Sequence, residues 1–127
     1  MKRWHVALWV VQVLLAGMFL FTGSVKTFLP YEQILEKQRW VALYSPPFVK
    51  AIGVAELLGA VGLIAPSALR TLPVLTPIAA SGLVLIMAGA AWTHLRIDEP
   101  IFLNVALAVL AVFVAWGRAF KRPISPR

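Results

Sequence analysis

The sequence contains no cysteine and only two histidines, His5 and His94, which lie far apart in the chain. A chain without cysteine forms no disulfide, offers no thiolate ligand and performs no dithiol exchange. The histidines have no neighbours at the spacing of a zinc, haem or iron–sulfur site, so no metal or haem is predicted. Nucleophile motifs and glycine-rich phosphate loops are also missing. The usual sequence signatures of soluble enzymes are therefore not found.

Charged residues are scarce as well. They make up 13% of the 127 residues, whereas soluble domains carry about 25%. Hydrophobic residues make up 61%, which is more apolar surface than a small water-soluble fold can bury. The net charge of +7 would favour nucleic acid in a soluble protein, but the basic residues stand at the ends of apolar runs. We therefore predict a lipid bilayer as the partner and no nucleic acid.

Four apolar runs are long enough to cross a bilayer, which takes about 20 residues at ~1.5 Å each. They cover residues 4–28, 48–65, 72–95 and 100–117. The first run is too long for the apolar region of a cleaved signal peptide, so we interpret it as a retained helix. Short connections make the later runs antiparallel neighbours. The sequence predicts one transmembrane domain over residues 1–127, an all-α, integral membrane, up-down-up-down four-helix bundle.

The longest polar stretch, residues 31–44, lies between the first two runs. Ile34, Leu35 and Val41 recur at helical spacing, and Trp40 and Tyr44 are types that favour the membrane–water boundary. We interpret the stretch as a short helix that lies on the membrane surface or caps the bundle. A plain polar loop is the alternative.

Lysine and arginine are divided unequally between the two ends of the predicted bundle. The end with both termini and the connection between the second and third runs carries seven: Lys2, Arg3, Arg70, Arg118, Lys121, Arg122 and Arg127. The opposite end carries five: Lys26, Lys37, Arg39, Lys50 and Arg96. Basic residues favour the cytoplasmic side. The bias therefore predicts a protein of the cytoplasmic membrane with both termini cytoplasmic.

A few polar residues interrupt the apolar runs, and such residues usually face the bundle interior and mark function. Glu56 lies well inside the second run, where a carboxylate must be protonated, paired or hydrated. The predicted topology brings Lys26 and Thr22 from the first run, His94 from the third and Asn104 from the fourth to the same half of the membrane. We therefore predict a polar cluster of these five residues in the outer leaflet.

Each member of this cluster also has a purely structural interpretation. Lys26 at a helix end often extends its ammonium group to the membrane surface. His94 at a helix end is often an interfacial residue, and Asn104 often hydrogen-bonds between helices. Glu56 and Lys26 would then form a structural ion pair. The convergence of four helices on one leaflet favours a pocket over these separate interpretations.

Three segments resemble those of the DoxX-like family of small membrane proteins. Residues 17–26 (GMFLFTGSVK) resemble the glycine-x-x-lysine end of that family's first helix, and residues 53–64 (GVAELLGAVGLI) resemble its second-helix glutamate followed by glycines. Residues 90–94 (AAWTH) resemble the histidine that ends its third helix. The resemblance covers nearly the whole chain and implies a four-helix bundle in the cytoplasmic membrane. Relatives are tied to quinone-linked sulfur oxidation, membrane oxidoreductase complexes and, in animals, receptor-assembly chaperones.

These observations support two main hypotheses of function. In the first, the outer-leaflet pocket takes a lipophilic molecule such as a quinone, with Glu56 and His94 handling protons, Lys26 as electrostatic partner, and Asn104 and Thr22 as hydrogen-bond donors. In the second, the chain is a non-catalytic partner or chaperone subunit that packs against other membrane proteins or a second copy. A transporter is less favoured, because the sequence shows no internal repeat and no discontinuous helices.

Overall fold

The computed structural model describes residues 2–127, and every regular element in that range is helical. A 3₁₀ turn at Arg39–Leu43 follows the second helix, and a π-helical turn at Gly117–Lys121 continues the last one. The α-helices are α1 (Lys2–Phe28), α2 (Tyr31–Lys37), α3 (Pro46–Leu69), α4 (Leu75–Arg96) and α5 (Phe102–Trp116). Among the described residues, α1, α3, α4 and α5 with its π turn are long and apolar enough to cross a membrane. The prediction of an all-α membrane bundle is confirmed.

Helix α3 extends beyond the predicted residues 48–65 at both ends. Pro46 and Pro47 occupy its first positions, where proline's missing N–H is not needed. Pro66 lies inside the helix and removes the donor that the Gly62 carbonyl would ordinarily receive. Thr76 of the next helix replaces it, with its Oγ1 donating to that carbonyl at 2.9 Å. The helix continues past its proline because a neighbouring hydroxyl satisfies the free carbonyl.

The membrane-length helices pack against one another largely in chain order. Helix α1 packs on α3, α3 on α4 and α4 on α5, and α1 also contacts α5. Along α1 and α3 the contacts run in opposite order, from Gln12 with Leu63 to Thr22 with Glu56. These pairs support the up-down-up-down order across the membrane, which stays a prediction.

The bundle has a narrow apolar core and a wide apolar surface. The core holds buried side chains from all four long helices, among them Leu15, Leu63, Leu83 and Ala111. Large hydrophobic side chains also cover the outside, and Phe102 is 82% exposed. A water-soluble protein would not leave so much apolar surface uncovered. The outer surface therefore suits hydrocarbon chains.

The segment between α1 and α3 packs on one end of the bundle. Ile34 of α2 and Val41 of the 3₁₀ turn are buried together with Val49 of α3, in a small core separate from the main one. The Tyr31 hydroxyl lies 3.0 Å from the Val41 carbonyl oxygen and 2.9 Å from the Tyr44 carbonyl oxygen, which share its one proton. Helix α2 and the 3₁₀ turn thus cap the bundle. We call this end, where Lys26 lies, the Lys26 end, and the opposite one the Arg118 end.

Candidate functional site

The candidate site is built around an ion pair between α1 and α3. Lys26 Nζ donates to both carboxylate oxygens of Glu56, at 2.9 and 3.0 Å. Thr22, one turn before Lys26, donates from Oγ1 to Glu56 Oε1 at 2.9 Å. Glu56 is 1% exposed and the Lys26 side chain 12%. The carboxylate is thus paired and hydrogen-bonded, which is the condition for burying such a charge.

Two glycines let α1 and α3 approach closely enough to form this pair. A Cβ built at Gly23 would lie 2.9 Å from the Gly53 carbonyl oxygen, and one at Gly53 would lie 2.8 Å from the Thr27 backbone nitrogen. Both distances are shorter than side-chain carbon atoms tolerate. Small residues are the usual means by which membrane helices come into close contact. The glycines therefore set the short helix separation across which Lys26 reaches Glu56.

His94 lies in the last turn of α4, and its carboxylate partner is Glu99 and not Glu56 of the predicted cluster. Its Nδ1 lies 2.7 Å from Glu99 Oε1, and its hydrogen bonds do not include Glu56. The chain turns sharply after α4 at Asp98, whose φ is +60°, and the Glu99 backbone N–H donates to the His94 carbonyl at 2.8 Å. The turn folds Glu99 back onto the histidine. Glu99 also lies 3.7 Å from Arg39 of the capping segment.

Asn104 of α5 is the least firmly held of the predicted site residues. Its Nδ2 lies 3.9 Å from Met87 Sδ, a weak contact, and the hydrogen bonds of the described residues give its amide no nitrogen or oxygen partner. The side chain is half-buried. Its amide is therefore available to a ligand or to a neighbouring helix.

A cavity of about 610 Å³ joins these groups. All five residues predicted for the polar cluster line it: Thr22, Lys26, Glu56, His94 and Asn104. Most of the remaining wall is apolar, and Leu85 and Leu103 belong both to this wall and to the exposed outer surface. The cavity has the size and the mainly apolar lining of a small-molecule site. Its wall adjoins the surface that faces lipid.

The capping segment supplies aromatic side chains to this cavity. The Trp40 ring lies 5.6 Å from Lys26 Nζ, within cation–π range. The Tyr44 hydroxyl shares a 2.6 Å hydrogen bond with Thr93 of α4. The sequence indicates both residues as interfacial aromatics but does not place them in the site. Their positions depend on how α2 and the 3₁₀ turn fold over the bundle.

The DoxX-like family model matches residues 10–116 of the chain. The chain belongs to the DoxX-like family. No curated protein and no solved structure matches it. Family membership confirms the resemblance and, together with the apolar helices, identifies an integral membrane protein whose surroundings are a lipid bilayer.

This DoxX-like protein also holds a second polar cluster, at the Arg118 end, which the sequence analysis missed. Gln12 is fully buried in α1 and Arg118 is 3% exposed in the π turn. Arg118 Nε donates to Gln12 Oε1 at 2.7 Å, and its Nη1 lies 3.1 Å from His5 Nδ1. Gln12 is a polar residue within an apolar run, so the criterion that identifies Glu56 also applies to it. Arg118 gave no such signal, because a basic residue at a helix end ordinarily lies at the membrane surface.

Proposed function

We propose that this DoxX-like protein binds a lipophilic small molecule with a neutral polar head, such as a quinone, in the cavity at the Lys26 end. The observation that carries the proposal is the ion pair of Lys26 and Glu56 in a wall that is otherwise mainly apolar. Ligand sites of this kind combine apolar walls with a few polar groups that fix orientation. The ring and tail of a quinone suit such walls, and its carbonyl oxygens suit a cationic donor.

Lys26 is the group best suited to contact the ligand's polar head. Its ammonium group has three N–H donors, and the Glu56 carboxylate holds it in place. A ligand carbonyl would accept a hydrogen bond from Lys26, with the Asn104 amide as a second donor. Glu56 and His94 would be proton-handling groups, since carboxylate and imidazole are the usual side chains for that task. The His94–Glu99 contact supplies this end with its own imidazole–carboxylate pair.

The orientation of the protein forms part of the same proposal. Arg70 and the basic residues near both termini belong to the Arg118 end, whereas the acidic residues lie within residues 32–99. By the positive-inside rule, the Arg118 end and both termini are cytoplasmic. The membrane is then the cytoplasmic membrane, and the cavity lies in the outer leaflet.

Binding of a short-chain quinone to the detergent-purified protein tests this function. Quenching of tryptophan fluorescence gives the Kd, because Trp40 lines the cavity. Glu56→Gln should raise the Kd about tenfold, as loss of a charge-assisted interaction is worth ~1.5–3 kcal/mol. His94→Ala should raise it by a smaller factor.

The control is Arg96→Gln, which removes one charge from an exposed residue of the same end of the bundle. It should leave the Kd unchanged. If Glu56→Gln and His94→Ala both bind the quinone as the wild type does, the cavity is not the ligand site. Far-ultraviolet circular dichroism of each variant establishes that the helices are retained.

A second candidate function, a non-catalytic subunit of a larger membrane complex, has its own support. A shallow groove of about 260 Å³ with an apolar lining runs between α4 and α5, bordered by Ala91, Ala108 and Val109. Asn104 also borders it with its weakly held amide. Small residues and an amide donor are typical of contacts between membrane helices. A helix of another protein, or of a second copy, would fit this groove.

Cross-linking from Val109 in native membranes tests the subunit role. A photoreactive residue at Val109 should capture a partner helix, and Ala108→Leu should abolish the product by filling the groove. The glycines of the bundle do not serve this test. A Cβ at Gly59 would meet Leu83 inside the core, and Gly89 lines the cavity. Failure of Val109 to yield any defined product would argue against the subunit role.

A further inference from the structure

Arg118 is a buried cation that has no carboxylate partner within residues 2–127. The chain has five acidic residues, Glu32, Glu36, Glu56, Asp98 and Glu99. The ion pairs within residues 2–127 use Glu56 and Glu99, with Lys26, Arg39 and His94 as their cationic partners. Arginine does not lose its proton in proteins. The charge of Arg118 therefore stays inside the bundle, and no Asp or Glu in the described residues neutralises it.

The neighbours of Arg118 solvate the guanidinium group but do not neutralise it. Nε donates to Gln12 Oε1 at 2.7 Å, and Nη1 donates to the Arg122 carbonyl at 2.8 Å. The ring of Trp9 lies 5.6 Å from Cζ. None of these partners is an anion, and neither is His5, whose Nδ1 lies 3.1 Å from Nη1. An amide, a carbonyl and an aromatic face lower the cost of burial, but an anion is the usual compensation for a buried guanidinium.

Two buried donors in this cluster have no acceptor. Arg118 Nη2 and Arg122 Nε are both buried and without a hydrogen-bond partner among the described residues. Buried donors of this kind are rare in native structures, and each calls for a specific explanation. The two side chains are one helical turn apart and joined through the Arg122 carbonyl. Arg122 is half-buried, so the cluster reaches the surface through it.

The location of the cluster identifies the class of anion. The π turn ends the last membrane-length helix, and Trp4 and Trp116 pack edge-to-face nearby with their ring centroids 5.8 Å apart. Tryptophan is enriched at the depth of the lipid headgroups. Lys121 Nζ lies 5.2 Å from the Trp4 ring and adds a further positive charge there. The planar guanidinium fork matches phosphate oxygens in a bidentate manner.

We propose that Arg118 and Arg122 form a binding site for a phosphate group at the Arg118 end of the bundle. The phosphate oxygens accept hydrogen bonds from Arg118 Nη2 and Arg122 Nε and balance the buried charge. A lipid phosphodiester and free inorganic phosphate share this chemistry. Basic pockets between membrane helices are known binding sites of anionic headgroups. The site is independent of the ion pair and cavity at the Lys26 end.

Native mass spectrometry of the detergent-purified chain tests the proposal and separates the two sources of phosphate. One arm adds phosphatidylglycerol, a second adds diacylglycerol with the same acyl chains but no phosphate, and a third adds inorganic phosphate. The wild type should retain phosphatidylglycerol and not diacylglycerol. Arg122→Gln and Arg118→Gln should each lower that retention about tenfold, the factor expected for one lost charge-assisted bond.

Arg122→Gln keeps the test valid if Arg118→Gln does not fold. Arg118 donates to the backbone carbonyl of Arg122, and this substitution leaves that carbonyl in place. Arg96→Gln, with the same loss of charge at the opposite end of the bundle, should retain the lipid like the wild type. Arginine-dependent binding of inorganic phosphate without lipid retention would support the site and identify free phosphate as its ligand. If the wild type and both arginine variants bind lipid and phosphate equally, the proposal is overturned.

Discussion

The two ends of the bundle each contain a long cationic side chain directed into the protein, and they balance its charge in different ways. Lys26 forms an ion pair with Glu56, and Thr22 donates a further hydrogen bond to the same carboxylate. Arg118 has no carboxylate partner among the described residues, and the amide of Gln12 takes the place that Glu56 has at the other end. A neutral pair requires no external ion, whereas an unpaired guanidinium does. The ends are therefore suited to different ligands, a neutral lipophilic molecule at one and an anion at the other.

This comparison separates two roles that a buried charge can have in a membrane protein. In the proposed function, the ammonium of Lys26 would position a neutral polar head, since its own charge is already balanced by Glu56. The guanidinium of Arg118 requires a negative group, and the nearest abundant source is the phosphate layer of the membrane. Charge balance within the chain thus predicts ligand class at each end. Removing a charge at the Lys26 end should therefore lower the stability of the protein. Adding an internal carboxylate at the Arg118 end should weaken the binding of phosphate.

Lys26→Met should produce the largest loss of stability, because it leaves the Glu56 carboxylate buried without its cation. Removing one partner of a buried pair costs ~3–5 kcal/mol in the free energy of unfolding. The double variant Lys26→Met with Glu56→Gln removes both charges and should recover most of that loss. Chemical unfolding in detergent, followed by circular dichroism, measures each free energy.

Lys50→Met is the matched control for this cycle. Lys50 is an exposed lysine on α3 whose Nζ donates to the Thr27 carbonyl at 3.0 Å. Its replacement should cost less than ~1 kcal/mol, because exposed polar contacts contribute little. A double variant as unstable as the sum of its single variants would show that Lys26 and Glu56 are not energetically coupled.

Gly53→Ala should destabilise the protein by ~1–3 kcal/mol, the range for overpacking a tight contact. A methyl group there would lie 2.6 Å from Thr27 Oγ1 and 2.7 Å from Lys26 Cβ, so α1 and α3 must separate. Gly17→Ala is the control, since a Cβ at Gly17 has no neighbour within 4 Å. It should be neutral or stabilising by up to ~1 kcal/mol. Equal effects of the two substitutions would contradict the close approach at the Lys26 end.

The sequence predicts the Lys26 end better than the Arg118 end, for a physical reason. The ion pair follows from topology, because a carboxylate inside an apolar run needs a partner and only certain helix ends lie at its depth. The partner of His94 does not follow, because it depends on the left-handed turn at Asp98 that brings Glu99 back onto α4. Nor does the C-terminal end of α3 follow, because the helix passes Pro66 and reaches Leu69 where the Thr76 hydroxyl satisfies the free Gly62 carbonyl.

The Arg118 cluster shows where reasoning from the sequence stops. Gln12 is visible as an amide in an apolar run, but its partner is more than a hundred residues away in the chain. Arg118 resembles any basic residue that follows a membrane helix. Its burial depends on the π turn, which continues α5 and directs the side chain back toward α1. Neither the turn nor its direction has a signature in residue type or spacing.

Gln12→Glu would give the Arg118 end an internal carboxylate, as Glu56 already does at the Lys26 end. It places a carboxylate where Gln12 now accepts from Arg118, so the guanidinium gains an internal anion and no longer requires phosphate. Retention of phosphatidylglycerol in native mass spectrometry should fall about tenfold, or ~1.4 kcal/mol. Stability is a poorer readout, because the substitution also removes the Gln12 donor to the Leu63 carbonyl.

Gln12→Leu completes this experiment as its matched control. It removes both side-chain hydrogen bonds of Gln12, the one to Leu63 that Gln12→Glu also loses and the one from Arg118, without adding a charge. It should cost ~1–3 kcal/mol by leaving buried polar groups unpaired. Because Arg118 then has one acceptor fewer, lipid retention should stay at the wild-type level or rise. A fall with Gln12→Glu and none with Gln12→Leu assigns the effect to charge. Equal falls in both variants would mean that the packing of Gln12, and not the charge of Arg118, governs lipid binding.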